Sequence, residues 1–342
     1  MRTFLFLFGF LAFLGLSFFV FHKTFGSTRT TVSLVQKQTP EEGRVEGTTD
    51  SHESKMPISF ESRAAAAQIL PIKKPSVGDL YVAGAHASVV LDADSGMVLH
   101  EEDSHEKRQI ASLTKLMTAM IVVERIKNLD EAVTIPEEAV YAEGTRVGCP
   151  RSGYCIGNRL KVGEQVSVRN LLKAALMNSA NDAAISLGMH MGGTQAGFAD
   201  IMNKRADELG LKNTHFCTPS GLEIDGRESE CYSSAYDIAR ITANSLQYDV
   251  LWEIMRLPNT TITSIDGTQS HDIFNTDALL DQYPNLLGTK TGFTPLAGYS
   301  LLAVATDATN KHRVVSVVLD DSQRWQDIQH MFAWAFSSFV WK

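Results

Sequence analysis

Ala111-Ser112-Leu113-Thr114-Lys115-Leu116-Met117-Thr118-Ala119 is the stretch on which the reading of this chain turns. It carries the pattern S-x-x-K. It also opens a run from Ser112 to about Lys127 whose apolar residues, Leu113, Leu116, Met117 and Met120 among them, fall on nearly every face of a helix. A helix apolar all round is buried, and a lysine inside it calls for a chemical reason. Lys115 lies one turn beyond Ser112, so the two side chains share a face. A serine hydroxyl is a weak nucleophile and needs a base. Lysine serves as one only when neutral, and burial together with a second nearby cation depresses its pKa in that direction.

S-x-x-K alone carries little information, since about one is expected by chance in a chain of this length. Ser104-His105-Glu106-Lys107 is a second copy and reads as a solvated loop. The signal lies in an ordered trio, completed further along the chain by Ser179-Ala180-Asn181, which is S-x-N, and Lys290-Thr291-Gly292, which is K-T-G. Ser179 falls between two helices, where its hydroxyl can relay a proton. Asn181 is placed to orient Lys115 and to bind a substrate amide. Lys290 is the second cation. The K-T-G run sits on a strand edge, where a peptide can add as a further strand, and Gly292 removes a side chain where the substrate backbone comes close.

Outward from the trio, strands lie at both ends of the chain and helices in the middle. Ala87 to Asp92 and Met97 to His100 read as a hairpin around Asp94-Ser95-Gly96. Helices are expected over 168–177 with Ser167 as N-cap, 181–191, 198–209 capped near Thr194 and stopped by Gly210, 234–245 and 250–256. Three strands come next, 287–291, 299–306 and 313–319, then a helix from Gln323 to about Val340. A lone hairpin is marginal, so the N-terminal strands are expected to join the C-terminal ones. The expected fold is α/β in the α+β sense: one antiparallel sheet flanked by helices, beside an all-helical lobe.

The 342 residues are 44% hydrophobic and 20% charged, with a net charge of −8. This excludes a disordered or coiled-coil chain, and the lack of a basic surplus argues against a nucleic-acid partner. Phe4 to Phe21 is an apolar run of Phe, Leu, Gly, Ala and Val with a single serine, Ser17, and is ended by His22 and Lys23. As a helix it spans about 27 Å, close to the hydrocarbon thickness of a bilayer. No small-x-small cleavage site comes after it, so residues 1–23 are read as a membrane anchor, with a cleaved signal as the alternative. Either exports the remainder. Residues 24–78, rich in Thr, Ser, Glu, Lys and Gln, read as a flexible linker, with Ala64 to Leu70 briefly helical, and 79–342 as the catalytic domain. In an exported protein four cysteines allow three pairings, of which the local ones, Cys149–Cys155 and Cys217–Cys231, are preferred. A zinc site at His215 and Cys217 fits no standard spacing.

The chain resembles the D-alanyl-D-alanine carboxypeptidases, the low-molecular-mass penicillin-binding proteins, over about residues 80–340. The resemblance rests on the trio and on Val90 to Gly96, Ala111 to Ala119, Asn213 to Leu222 and Gly288 to Thr294. It implies the serine β-lactamase/DD-peptidase fold and a serine peptidase that trims peptidoglycan stem peptides ending in D-Ala-D-Ala. Ser112 would attack the carbonyl between the two residues, and the backbone N–H groups of Ser112 and Phe293 would form the oxyanion hole. Arg324 would clamp the terminal carboxylate. β-Lactams would bind as covalent inhibitors, and no metal or organic cofactor is required. Many relatives carry a C-terminal β-domain and an amphipathic anchor, a place that the N-terminal anchor would take here. A class A β-lactamase is disfavoured because no E-x-x-L-N comes after S-x-N; Glu208 precedes Leu209-Gly210-Leu211-Lys212. A DD-endopeptidase and a non-catalytic wall-binding protein are the remaining rivals.

Overall fold

The computed structural model describes residues 69–150 and 154–342. The anchor run and linker residues 24–68 lie outside them. In chain order the elements are β1 (Pro71–Lys73), β2 (Ala85–Asp92), β3 (Val98–Glu102), a 3-10 turn (Ala111–Leu113), α1 (Thr114–Arg125), β4 (Ala132–Thr134), α2 (Glu137–Val140), β5 (Gln165–Ser167), α3 (Val168–Leu176), α4 (Asn181–Gly192) and α5 (Gln195–Glu208). They continue with α6 (Ala235–Ser245), α7 (Asp249–Met255), β6 (Thr260–Thr263), β7 (Ser270–Ile273), β8 (Leu286–Thr294), β9 (Gly298–Thr306), β10 (Arg313–Asp321), α8 (Arg324–Ser338) and β11 (Phe339–Trp341).

The principal sheet has the order β3-β2-β10-β9-β8 and is antiparallel throughout, so the N-terminal hairpin does join the C-terminal strands. Its central strands are buried on both faces, which is why they read as near-continuous apolar runs. Alternate residues divide between two cores. Val89, Leu91, Leu302, Val304, Val315 and Val317 face the large core shared with α1 and α6. Val90, Leu301, Ala303, Val314 and Val318 face Ile328, Met331 and Phe332 of α8. The helical lobe packs α1, α3, α4 and α5 against one another. The expected caps are made, Ser167 and Thr194 each accepting a backbone N–H of the first turn, and Ser234, expected as the first residue of its helix, caps it in the same way.

Two expected boundaries are corrected. The linker was expected to run to residue 78, but Pro71-Ile72-Lys73 is a strand paired with Phe339-Val340-Trp341. The same pairing ends the last helix at Ser338 rather than Val340, because the strand claims the backbone groups that a continued helix would use. Both local disulfides are formed, Cys149–Cys155 and Cys217–Cys231. The second removes Cys217 as a zinc ligand. Among the described residues no helix is long and apolar enough to cross a membrane.

Candidate active site

Four segments meet where the sheet abuts the helical lobe: the turn that starts α1, the α3–α4 connection, the outer strand β8 and the start of α8. Ser112 lies in the 3-10 turn just before α1, and Ala111 before it has φ 47°, a left-handed value for a residue with a side chain. Lys115, one turn on, is fully buried. Its Nζ lies 2.7 Å from Ser112 Oγ, 2.7 Å from Asn181 Oδ1 and 2.7 Å from the Ser220 carbonyl.

These three contacts carry a chemical consequence. Asn181 Oδ1 and the Ser220 carbonyl are acceptors only. A neutral lysine has two N–H bonds and one lone pair. If the two oxygens take the two N–H bonds, the lone pair faces the Ser112 hydroxyl, ready to accept its proton. The electrostatics favour the neutral form. Burial pushes Lys115 well below its ordinary value and Lys290 pushes it further, while the Asp182 carboxylate acts the other way.

Lys290 is also buried. It donates to Ser179 Oγ at 2.8 Å and to the Thr291 carbonyl at 2.9 Å. Burial, then the nearby Arg324 charge, lowers it to about 7. Ser179 sits between α3 and α4 with φ 57°, a conformation that costs energy in a non-glycine residue and marks functional sites. Each serine of the site therefore has its own lysine.

A groove of about 480 Å³ runs past these groups, lined by Ser112, Thr145, Pro150, Ile156, Asn178, Ser179, Phe274, Thr276, Thr291, Gly292, Phe293 and Arg324. β8 is the terminal strand of the sheet and forms one wall. Phe293 packs on Tyr299, its cross-strand partner, with ring centroids 4.5 Å apart. Arg324 opens α8 and reaches the same wall. Its Nη1 donates to the Gly292 and Ser300 carbonyls at 3.1 and 3.3 Å, and its guanidinium lies over Tyr299.

Two of the expected site residues make contacts within the chain that the sequence did not show. Asn181 is 4% exposed. Its amide oxygen accepts from Lys115 and its nitrogen donates to the Glu143 carbonyl, so it orients the lysine as expected. Gly292 lines the groove and also makes a close contact within the chain: a Cβ there would lie 2.8 Å from the Ile110 carbonyl and 3.2 Å from Leu113. Its bareness lets β8 close on the turn that carries Ser112.

Three contributors escaped the sequence reading. The Ser220 and Glu143 carbonyls act through backbone atoms and leave no side-chain signature. Gly221, at φ 79°, would place a Cβ 2.0 Å from the Ala111 carbonyl, so only glycine seats the nucleophile turn. Its signal was the Ser220-Gly221 pair, a turn dipeptide.

A serine before a buried helix, a depressed lysine one turn on and a second serine–lysine pair, set at the margin of an antiparallel sheet against a helical lobe, define the serine β-lactamase/DD-peptidase class. The model of the D-alanyl-D-alanine carboxypeptidase family matches residues 75–323, and the chain belongs to that family. It is 31% identical over 272 residues to the D-alanyl-D-alanine carboxypeptidase DacF of Bacillus subtilis, covering 75% of this chain and 63% of that protein. It thus spans less than two thirds of that relative's length. It is 34% identical over 235 residues to a D-alanyl-D-alanine endopeptidase of Pseudomonas aeruginosa, covering 68% of this chain and 70% of that one. Among solved structures it is similar to penicillin-binding protein D2 of Listeria monocytogenes in its ampicillin-bound form, with TM-score 0.63 and 31% identity over 76% of this chain and all of that one.

Proposed function

We propose that this chain is a serine-type D-Ala-D-Ala carboxypeptidase acting on peptidoglycan stem peptides and acylated at the same serine by β-lactams. The observation that carries the reading is the three-way contact of Lys115, with two fixed acceptors and the Ser112 hydroxyl. Ser112 gives its proton to Lys115 and attacks the penultimate carbonyl. The backbone N–H groups of Ser112 and Phe293 stabilise the oxyanion. Ser179, held by Lys290, relays the proton to the departing D-alanine. Water then hydrolyses the acyl-enzyme. Release of D-alanine from a pentapeptide ending in D-Ala-D-Ala tests this directly; a purified protein that releases none and takes no penicillin label contradicts it.

The charge of Lys290 gives a pH signature. Acylation requires neutral Lys115, so the rate rises with pH on the acid side. It falls again above about pH 7, as Lys290 gives up its proton and its attraction for an anionic substrate. In Lys290→Arg the alkaline fall should disappear, because a guanidinium stays charged. The measurement is the rate constant of penicillin acylation against pH. An alkaline limb that persists in the arginine variant assigns it to another group.

A second reading, endopeptidase, has the Pseudomonas relative in its favour. A carboxypeptidase must recognise a free terminal carboxylate, and an endopeptidase must not require one. Arg324 suits that anion through paired, charge-assisted hydrogen bonds, and it lines the groove beside β8. Arg324→Ala should lose about 1.5–3 kcal/mol of recognition, the worth of a hydrogen bond to a charged group. The readout is kcat/KM on a D-Ala-D-Ala peptide against its C-terminal amide. Wild type should prefer the acid and the variant should lose most of that preference; an unchanged ratio removes Arg324 from the role.

The reading includes export to the outer face of a cell membrane, with Phe4 to Phe21 as the anchor. The two disulfides support an oxidising compartment.

A further inference from the structure

Asp182 directly follows the S-x-N motif, and neither acylation nor deacylation gives it a task. It is 2% exposed and lies in the first turn of α4. Its two oxygens accept the Val147 N–H at 3.2 and 3.1 Å, and Oδ1 also accepts the Ala183 N–H at 2.9 Å. Beside it, the Asn181 N–H donates to the Thr145 carbonyl at 2.8 Å, and Asn181 Nδ2 donates to the Glu143 carbonyl at 2.7 Å. Residues 143–147 are thereby stitched to the first turn of α4, and Thr145 in that segment lines the groove.

A buried carboxylate held only by N–H donors is costly, although a helix N-terminus offsets part of that cost. An asparagine of the same shape would fill the site without the charge. The neighbourhood supplies a use for the charge. Asn181 holds Lys115, which becomes an ammonium once the Ser112 O–H bond breaks and the proton moves to Nζ. The serine oxygen then bonds to the substrate carbonyl carbon, and the proton passes on to the nitrogen of the departing D-alanine. We propose that Asp182 is a positioning residue for this reaction: it seats the 143–147 wall against Asn181 and is the fixed counter-charge for the ammonium that forms on Lys115.

The charged groups around it fit this role. Arg146 faces it from the wall segment. Lys115 on α1 reaches Asn181, the residue before Asp182 in the first turn of α4, at 2.7 Å; the Asp182 charge favours its ammonium, and Lys290 on β8 acts in the opposite sense. Of the other elements packed on α4, α2 carries Glu137 and Glu138 and α5 carries Asp200, Lys204, Asp207 and Glu208, all exposed; the buried Arg205 of α5 is paired with Glu124 of α1, whose Arg125 is exposed, and α3 carries Arg169 and Lys173, half-buried. Burial raises Asp182 to about 6, so its charge is present at neutral pH and is lost as pH falls through that value.

The inference rests on Lys115 as the base, and the experiment separates the two. Penicillin acylation of the full chain is followed from acid to alkaline pH in wild type, Asp182→Asn and Asp182→Glu. Without the counter-charge Lys115 falls further, so the acid limb of Asp182→Asn should move down by about one pH unit, with the plateau lowered about 10-fold or more by the loosened wall. Asp182→Glu should keep the limb and lose plateau rate. An acid limb that stays in place or moves up in Asp182→Asn, or one that moves down equally in Asp182→Glu, overturns the proposal. Acylation that survives Lys115→Arg instead overturns the base assignment. If Asp182→Asn does not fold, wild-type protein carrying 13C-lysine decides. The Lys115 Cε resonance, identified by its loss in Lys115→Met, should titrate in two steps, one near pH 6. A single step refutes the coupling.

Discussion

Ser112→Ala should take no covalent label from fluorescent penicillin and release no D-alanine, a fall to background of about 10⁶-fold by the usual worth of a serine nucleophile. The geometry is demanding because the site holds two serine–lysine pairs. Ser112 Oγ faces Lys115 at 2.7 Å and Ser179 Oγ faces Lys290 at 2.8 Å. They differ in what surrounds them. Lys115 has two fixed acceptors for its N–H bonds and is driven further toward the neutral form by Lys290. Lys290 is lowered to about 7, by burial and then by the Arg324 charge. Ser112 also sits where a helix begins, with backbone N–H groups at hand. Ser179→Ala should therefore slow labelling without abolishing it. Label that remains on Ser112→Ala and vanishes only in the double variant would transfer the nucleophile to Ser179.

Lys115→Arg should be nearly as damaging, with a loss of about 10³- to 10⁴-fold in acylation, the upper range for a general base. Arginine keeps the charge and cannot shed a proton near neutral pH. It must also fit a planar fork among three oxygens set for an amine. Lys115→Met is the control. It too should be inactive, yet it should melt at a higher temperature than wild type near neutral pH. The sign comes from linkage: burial lowers Lys115 in the folded state, so the unfolded chain binds the proton more tightly over the window between the depressed value and 10.5. Stability is withheld at the acid end of that window and recovered as pH rises. Methionine has no proton to lose. An arginine variant acylated at near wild-type rate would show that another group is the base.

Much of this architecture was legible because it rests on side-chain pattern. The apolar run of α1 announced burial, and burial announced the depressed lysine. Ser167 and Thr194 stood where helix caps stand, and the cysteine spacing suggested both disulfides. What stayed hidden acts through the backbone or through long-range pairing. The Ser220 and Glu143 carbonyls have no residue signature. Three-residue strands are too short for a period-2 pattern, so the β4–β5 and β1–β11 pairs were invisible, and Phe339-Val340-Trp341 looked like more helix. Gly292 was legible as a close approach, but sequence alone does not show that the Ile110 carbonyl is one of the groups that come close. Asp182 was not singled out in the sequence, because its meaning depends on Val147, 35 positions away.

The position of β8 at the margin of the sheet has a further cost and a remedy. A terminal strand is a template on which any extended polypeptide can pair, including the same strand of a neighbouring molecule, and such margins invite self-association. This protein cannot blunt the margin with proline or a bulge at its centre, because Lys290, Thr291 and Gly292 must stay in register with Leu302, Leu301 and Ser300. It encloses the margin instead. Pro150, Ile156 and Phe274 line the same groove as Thr291, Gly292 and Phe293, so the margin at these residues lies in a groove and not on an open flank. The gap that admits a substrate is thus also the barrier that keeps copies of the molecule from growing onto one another.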